Sequence, residues 1–224
     1  QLEQNKIKSF YLDGQTVVID DYLEIYPEKL DKIKKLIKKN RLFVGPWYSL
    51  PDEFLVSGES LIRNLLIGIN SAKKLGCKDF IGYMPDSFGH NSNMPTILNS
   101  FGLKNAVLWR GSGELKNLFR WQGDDGSSVL ALNLTEGYFQ DIFSKDIPPQ
   151  EKIVHIKNLI ENLKKYAVTD KILIPAGGDH IGIVKDFDRQ LKEVSKINED
   201  FSLESGSIFK YLKEVKYNPE EIET

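Results

Sequence analysis

The chain has 224 residues, of which 41% are hydrophobic and 28% are charged, and its formal net charge is −2. These values are typical of a globular protein with one large or two small domains, and the absence of a basic block in the sequence argues against a nucleic-acid-binding surface. The single cysteine, Cys77, excludes a disulfide within the chain and a cysteine metal cluster. Since no apolar run in the sequence has the length of a membrane span, we predict a cytoplasmic protein that binds neither nucleic acid nor membrane.

Strand-like and helix-like segments alternate along the sequence. Runs of consecutive apolar residues predict strands, and apolar residues three and four positions apart predict helices. In chain order the predicted elements are a strand at 15–19, a helix at 27–40, a strand at 42–47, a helix at 59–73, a strand at 79–84, a short helix at 95–101, a strand at 106–109, a hairpin within 119–134, a helix at 149–166, a strand at 171–175 and helices at 184–197 and 206–216. This alternation predicts βαβ units and a parallel sheet, which the pattern leaves either open or closed into a barrel.

Charged and aromatic side chains follow several of these strands. Asp86 follows the strand at 79–84, Arg110 follows the strand at 106–109, and Asp179 follows the strand at 171–175. Aromatic residues near the ends of other strands are Trp47, Tyr48 and Tyr138. Because ligand sites of α/β folds lie at the carboxyl ends of the strands, these groups predict one rim that is suited to a sugar.

Two carboxylates on one rim suggest glycoside hydrolysis, in which one is ionised and the other is protonated. An arginine near Asp86 would favour its ionised form, whereas partial burial of Asp179 would favour its protonated form. Each aspartate is equally consistent with a helix cap or a turn, so strand-end position alone does not decide between these roles.

Two long motifs carry a family resemblance. The segments "VGPWYSLPDEFLVSGESLIRNLLIG" and "GYMPDSFGHNSNMPTILNSFGLKNAVLWRG" resemble the catalytic domain of family 38 α-mannosidases, in particular its bacterial members. The segment "FYLDGQTVVIDDYLEIYPEKL" resembles the part of the family that precedes these motifs. The resemblance implies a parallel (β/α) barrel of the seven-stranded glycoside hydrolase/deacetylase type, here incomplete because the first strand is missing.

The same resemblance implies a retaining, zinc-dependent α-mannosidase that acts on a mannoside or oligosaccharide through a covalent mannosyl-enzyme. Asp86 matches the family's nucleophile, which is also a zinc ligand, and Asp179 matches its general acid. Arg110 matches an arginine near the nucleophile. Trp47, Tyr48, Arg110 and Tyr138 are then candidates for binding the sugar.

The sequence departs from the family at the metal site. The His-x-Asp pair on the family's first strand is absent, and the histidines are His90, His155 and His180. We therefore expect the other zinc ligands to lie outside this chain. Residues 1–224 would form the central and C-terminal part of the N-terminal catalytic domain, without the helical-bundle and β-sandwich domains, and would be inactive in isolation. Whether the full-length protein forms a homo-oligomer stays open.

Several alternatives remain open at this stage. A metal-dependent sugar deacetylase or a non-catalytic carbohydrate-binding module could use a similar barrel. His90 could substitute as a zinc ligand, although packing and hydrogen bonding within its own loop is the commoner role. Asp52, Glu53 and Glu59 are consistent with surface charges or helix-start residues, so we leave them out of the predicted site.

Overall fold

The computed structural model describes residues 1–182 and 184–222. Six strands and seven α-helices alternate over most of this part of the chain. In order they are β1 (Phe10–Tyr11), α1 (Val17–Ile25), α2 (Leu30–Lys38), β2 (Leu42–Phe43), α3 (Gly58–Leu75), β3 (Gly82–Met84), α4 (Met94–Ser100), β4 (Asn105–Leu108), β5 (Leu118–Gln122), β6 (Ser128–Asn133), α5 (Pro149–Lys164), α6 (Phe187–Ile197) and α7 (Ile208–Glu214). Short 3-10 turns cover Pro27–Lys29 and Pro219–Glu221.

The strands form two separate sheets. β1 and β2 pair in parallel, with Phe10 opposite Leu42. The larger sheet has the order β3-β4-β6-β5, in which β3, β4 and β6 run parallel and β5 is antiparallel to β6 at the edge. The carboxyl ends of β3, β4 and β6 therefore meet at one edge of the same sheet.

The predicted seven-stranded parallel barrel is wrong for the described residues. They form a two-stranded parallel sheet and a four-stranded mixed sheet. The first sheet stops at Phe43, and Gly45, two residues later, has φ of 77°, which lies outside the extended region of a strand. The predicted strand at 171–175 joins neither sheet, and the predicted hairpin supplies an antiparallel edge strand where a barrel would need a parallel neighbour.

Apolar side chains cover both faces of the larger sheet. Met84, Ala106 and Leu108 pack on one face with residues of α3 and α4. The alternate residues Tyr83 and Val107 pack on the other face with residues of α7. Burial on both faces explains why these strands are apolar at successive positions.

The local sequence of helix α3 determines where the helix begins, where it ends and which face it buries. Ser57 caps its start and accepts a hydrogen bond from the Ser60 N–H at 3.2 Å. Gly76 ends it in the left-handed region, with φ of 102°. Between them Leu65 and Ile69, four positions apart, are buried against the larger sheet. The helix prediction at 59–73 is confirmed.

The strand prediction at 15–19 is wrong, since Val17 begins helix α1. A run of β-branched residues favours a strand, but tertiary hydrogen bonds decide here. The Thr16 and Val17 N–H groups donate to the carbonyls of Trp47 and Tyr48 at 3.0 Å and 2.9 Å. These bonds satisfy donors at the helix N-terminus, which otherwise lack partners. Within the described residues, no helix combines the length and the apolar character that crossing a bilayer requires.

Candidate active site

Asp86 and Arg110 form the centre of the candidate site. Asp86 follows β3 by two residues and Arg110 follows β4 by two residues, and these strands are parallel neighbours with Met84 opposite Leu108. The Arg110 Nε–H donates to Asp86 Oδ1 at 2.5 Å. Both side chains keep a surface toward solvent, 38% of the arginine side chain and 28% of the aspartate side chain. A ligand can therefore reach the carboxylate while the arginine holds it.

Aromatic rings hold the guanidinium of Arg110 in place. Its central carbon lies 4.7 Å from the ring centre of Phe88 and 4.5 Å from that of Trp109. Cations are attracted to the faces of aromatic rings, so the two rings and the carboxylate together fix the guanidinium. Phe88 itself is exposed, which leaves a flat apolar surface beside the carboxylate.

Tyr138 lies near both Asp86 and Asp179. The Tyr138 hydroxyl donates to Asp86 Oδ2 at 3.4 Å. The pKa of Tyr138 is raised, first by burial and then by the nearby carboxylates of Asp179 and Asp86. The phenol hydroxyl thus bonds Asp86 and lies close enough to Asp179 for that charge to act on it. Asp179 is exposed and follows Gly177 and Gly178, whose φ angles of 125° and 145° favour glycine.

Asp13 is a rim residue that the sequence analysis missed. It follows β1 by two residues, and the charges of Asp179 and Asp86 act on it. Burial is the largest of the effects that raise its pKa to about 6. Gln15 donates to Asp13 Oδ2 at 3.1 Å and accepts from the Leu50 N–H at 3.0 Å, which fixes the carboxylate. The signal that could have identified Asp13 is its position shortly after the parallel strand β1, but the sequence did not predict β1.

The two predicted aromatic residues on the 44–48 segment differ in position. Trp47 is 0% exposed, and its indole N–H donates to the Tyr83 carbonyl at 3.0 Å. It therefore supports the end of β3 from within the core, and this structure leaves it no surface for a sugar. Tyr48 is partly exposed, and its backbone N–H donates to Asn64 Oδ1 at 2.7 Å.

His90 and Glu53 form a buried polar contact beneath the site. The His90 Nδ1 lies 2.7 Å from Glu53 Oε1, and Nε2 lies 2.9 Å from the Arg110 carbonyl oxygen. Glu53 is 4% exposed, so its interpretation as a surface charge is wrong. Since both ring nitrogens of His90 have partners, the packing role is the one seen here, and the ring has no free nitrogen for a metal ion.

The described residues do not make a complete metal site. Within 1–182 and 184–222, no group of three or more His, Cys, Asp or Glu side chains is arranged to hold a metal ion. A zinc site normally takes three or four protein ligands. Asp86 has two oxygens facing the rim, but one accepts from Arg110 and the other from Tyr138. These residues alone therefore do not fit zinc.

The fold and the rim define a class of protein. Asp86, held by an arginine at a strand end, and Asp179, whose charge acts on the tyrosine that bonds Asp86, are consistent with the pair of carboxylates by which glycoside hydrolases cleave sugars. The chain belongs to one family of that class, because the model of the "Glycosyl hydrolases family 38 N-terminal domain" matches residues 1–222. The family predicted from the two long motifs is thereby confirmed.

Individual relatives agree with this assignment. A protein of Halalkalibacterium halodurans, named "Putative mannosylglycerate hydrolase", is 33% identical over 228 residues, which cover 93% of this chain and 25% of that protein. Alpha-mannosidase F of Dictyostelium discoideum is 29% identical over 190 residues, covering 73% of this chain and 19% of that protein. The crystal structure of an alpha-mannosidase from Enterococcus faecalis is 30% identical, with a TM-score of 0.89, and the match covers 100% of this chain and 26% of that one. The chain thus spans between 19% and 26% of the length of these proteins.

Proposed function

We propose that the protein is a retaining α-mannosidase and that this chain is part of its catalytic domain. The observation that carries the proposal is the surroundings of Asp86: Arg110 binds one of its oxygens, Tyr138 donates to the other, and the charge of Asp179 acts on that tyrosine. A hydrolase of this kind needs two carboxylates close together at one open edge of the fold. Family membership makes a mannoside the first substrate to test.

The proposed chemistry has two displacements. In the first, an oxygen of Asp86 attacks C1 of the mannosyl group, the bond from C1 to the leaving oxygen breaks, and Asp179 gives its proton to that oxygen. In the second, Asp179 takes a proton from water, the water oxygen attacks C1, and the ester to Asp86 breaks. Two inversions at C1 give a product with the configuration of the substrate.

Arg110 and Tyr138 would orient the nucleophile in this scheme. The arginine and the tyrosine each bind one oxygen of Asp86, which holds the carboxylate in one orientation. Holding a nucleophile within reach of the reacting carbon lowers the entropic part of the barrier. Asp13, on which the charges of Asp179 and Asp86 act, would hydrogen-bond a sugar hydroxyl beside them.

Zinc is a further part of the proposal, with Asp86 as the one ligand assigned in this chain. A zinc ion at the rim would bind sugar hydroxyls and act as a Lewis acid. Because the described residues alone do not fit the ion, no step above depends on it. The cytoplasmic location and bacterial origin expected from the sequence also stay predictions.

The test uses the complete protein with aryl α-mannosides and with mannosylglycerate, the compound in the name of the Halalkalibacterium relative. Proton NMR of the first product gives the anomeric configuration, and a fluorinated mannosyl fluoride should leave a mannosyl ester on the peptide that contains Asp86. Asp86→Ala should abolish turnover, whereas the exposed Asp31→Ala on α2 should not change it. Inversion at C1, or near-normal turnover by Asp86→Ala, would refute the proposal.

A further inference from the structure

The buried carboxylate of Glu53 lies beside the candidate site, and both of its oxygens contact residues of one loop. Glu53 Oε1 contacts His90 Nδ1 at 2.7 Å, and Glu53 Oε2 accepts from the backbone N–H and the side-chain amide of Asn91, both at 2.9 Å. The side chain of Glu53 is 0% exposed and that of His90 is 8% exposed. A carboxylate so deeply buried is costly unless it is paired, and here the pairing extends toward the rim.

Both nitrogens of the His90 ring face oxygen atoms. The Arg110 carbonyl can only accept, so the Nε2 position must carry a proton that is donated to it at 2.9 Å. The single proton between Nδ1 and Glu53 Oε1 belongs to one partner or the other, and in both cases the pair has no net charge. A continuous hydrogen-bonded path therefore leads from Glu53 through His90 to the backbone of Arg110.

The backbone at Arg110 has little freedom to move away from His90. Its N–H donates to the Pro85 carbonyl at 3.1 Å. The next residue, Gly111, has φ of +75°, and an added Cβ there would lie 3.4 Å from the Cδ2 carbon of His90. The edge of the His90 ring packs against Trp121, with ring centres 5.4 Å apart. The carbonyl and the N–H of Arg110, and the glycine that follows it, are thus all in contact with the loop that contains Asp86 and His90.

We propose that His90, held by Glu53, is a positioning residue that fixes the Arg110 backbone so that the guanidinium binds Asp86. This inference rests on the proposed function in one respect, namely that Asp86 is the nucleophile. His90 reaches Arg110 and not the reacting atoms, so its effect on catalysis is indirect. A nucleophile displaced by about 1 Å can lose about 100-fold in rate.

Two substitutions at His90 separate positioning from simple packing. In His90→Gln, the side-chain amide lies near the former Nε2 and can donate to the Arg110 carbonyl, but the contact with Glu53 is lost. In His90→Asn, the shorter amide lies near the former Nδ1 and keeps the contact with Glu53, but it cannot reach Arg110. We expect His90→Asn to lower kcat about 10- to 100-fold with KM changed less than about 3-fold, and His90→Gln to stay within about 5-fold of the parent.

The same pair of substitutions at His155 is the matched control. His155 is exposed on α5, and its Nε2 lies 3.8 Å from Glu151, so it is a histidine beside a glutamate that has no hydrogen bond to Arg110. Neither His155→Gln nor His155→Asn should change kcat. In an Arg110→Ala background, His90→Asn should cause no further loss, because its effect passes through Arg110.

A crystal structure of each His90 variant of the complete protein gives a readout independent of activity. We expect the contact between Arg110 Nε and Asp86 Oδ1 to persist in His90→Gln and to open beyond about 3.5 Å in His90→Asn. If His90→Asn does not fold, the double variant Glu53→Gln/His90→Asn replaces it, because it removes the buried charge and still has no donor that reaches Arg110, and the same opening of the contact is expected. Should the parent cleave no mannoside, the proposed function fails, and these structures alone decide the positioning role.

The inference is overturned by any one of three results. One is an intact contact between Arg110 and Asp86 in His90→Asn. Another is a His90→Asn enzyme at least as active as His90→Gln, which would mean that His90 serves only to satisfy Glu53. A further loss of the same size in the Arg110→Ala background would also show that the effect does not pass through Arg110.

Discussion

Gly68 on α3 gives a prediction whose magnitude follows from the contacts of a single atom. A Cβ at this position would lie 2.2 Å from the Pro46 carbonyl oxygen, 2.2 Å from the Trp47 carbonyl carbon and 2.3 Å from the Tyr48 nitrogen. Carbon atoms in contact are normally about 3.5 to 4.0 Å from their neighbours, so the helix or the 46–48 segment would have to move by about 1 Å. All three obstacles are backbone atoms, so no change of rotamer relieves the overlap.

Alanine in the interior of a helix is ordinarily about 1 kcal/mol more favourable than glycine. Overpacking of a close contact costs about 1 to 3 kcal/mol or more. Because relief here requires a backbone shift on both sides, we expect the second effect to exceed the first, and Gly68→Ala to destabilise the protein by about 2 kcal/mol. The shift would also move Tyr48, whose N–H is held by Asn64 one helical turn earlier.

The control lies in the same helix. An added Cβ at Gly58 has no atom within 4 Å, so Gly58→Ala should be neutral or slightly stabilising. Urea unfolding followed by circular dichroism measures both variants of the complete protein. A Gly68→Ala protein as stable as the parent would refute the close packing of α3 on the 46–48 segment.

Two further predictions concern the carboxylates of the rim. Asp179→Ala should lose about 100-fold or more in kcat/KM on an alkyl mannoside and far less on dinitrophenyl mannoside, whose leaving group needs little protonation. Equal losses on both substrates, measured by steady-state kinetics, would point to a structural role for Asp179. For Asp13, whose pKa is raised from 3.8 to about 6 chiefly by burial, the folded state binds the proton more tightly than the unfolded state. The parent should therefore lose stability relative to Asp13→Asn as the pH rises from about 4 to 6, and the difference should be constant at higher pH. A difference in Tm that does not change across this range would contradict the raised pKa.

Helices could be predicted from the sequence much better than the arrangement of strands. The spacing of Leu61, Leu65 and Ile69 defines α3 without reference to any other part of the chain, because one helix face carries all of its apolar residues. The strand at 171–175 has the same apolar character as true strands of this fold, but its residues form no ladder. Apolar runs indicate burial, and pairing partners must come from elsewhere in the chain.

Some residues of the candidate site could likewise be predicted from the sequence, and others could not. Asp86 and Arg110 follow predicted strands that are neighbours in the sheet, so strand ends alone brought them together. Glu53 could not be recognised, because its burial depends on His90 and Asn91, which lie on another loop. Trp47 shows the opposite error: an aromatic residue at a strand end is as suitable for the core as for a ligand, and its contact with the Tyr83 carbonyl decides for the core.

Tyr83 explains how a site can be assembled from two sheets that do not pair. Its ring packs edge-on against Tyr11 of β1, with centres 4.8 Å apart, and its carbonyl accepts from the Trp47 indole at 3.0 Å. A Cβ at Gly14, just after β1, would lie 2.8 Å from the Tyr83 ring, so a glycine is required for this approach. Tyr83 also lies near enough to Asp13 for the two groups to affect each other's pKa, and it is three residues before Asp86. The distance between Asp13 and the proposed nucleophile Asp86 is therefore set by side-chain packing on Tyr83, and not by a strand ladder.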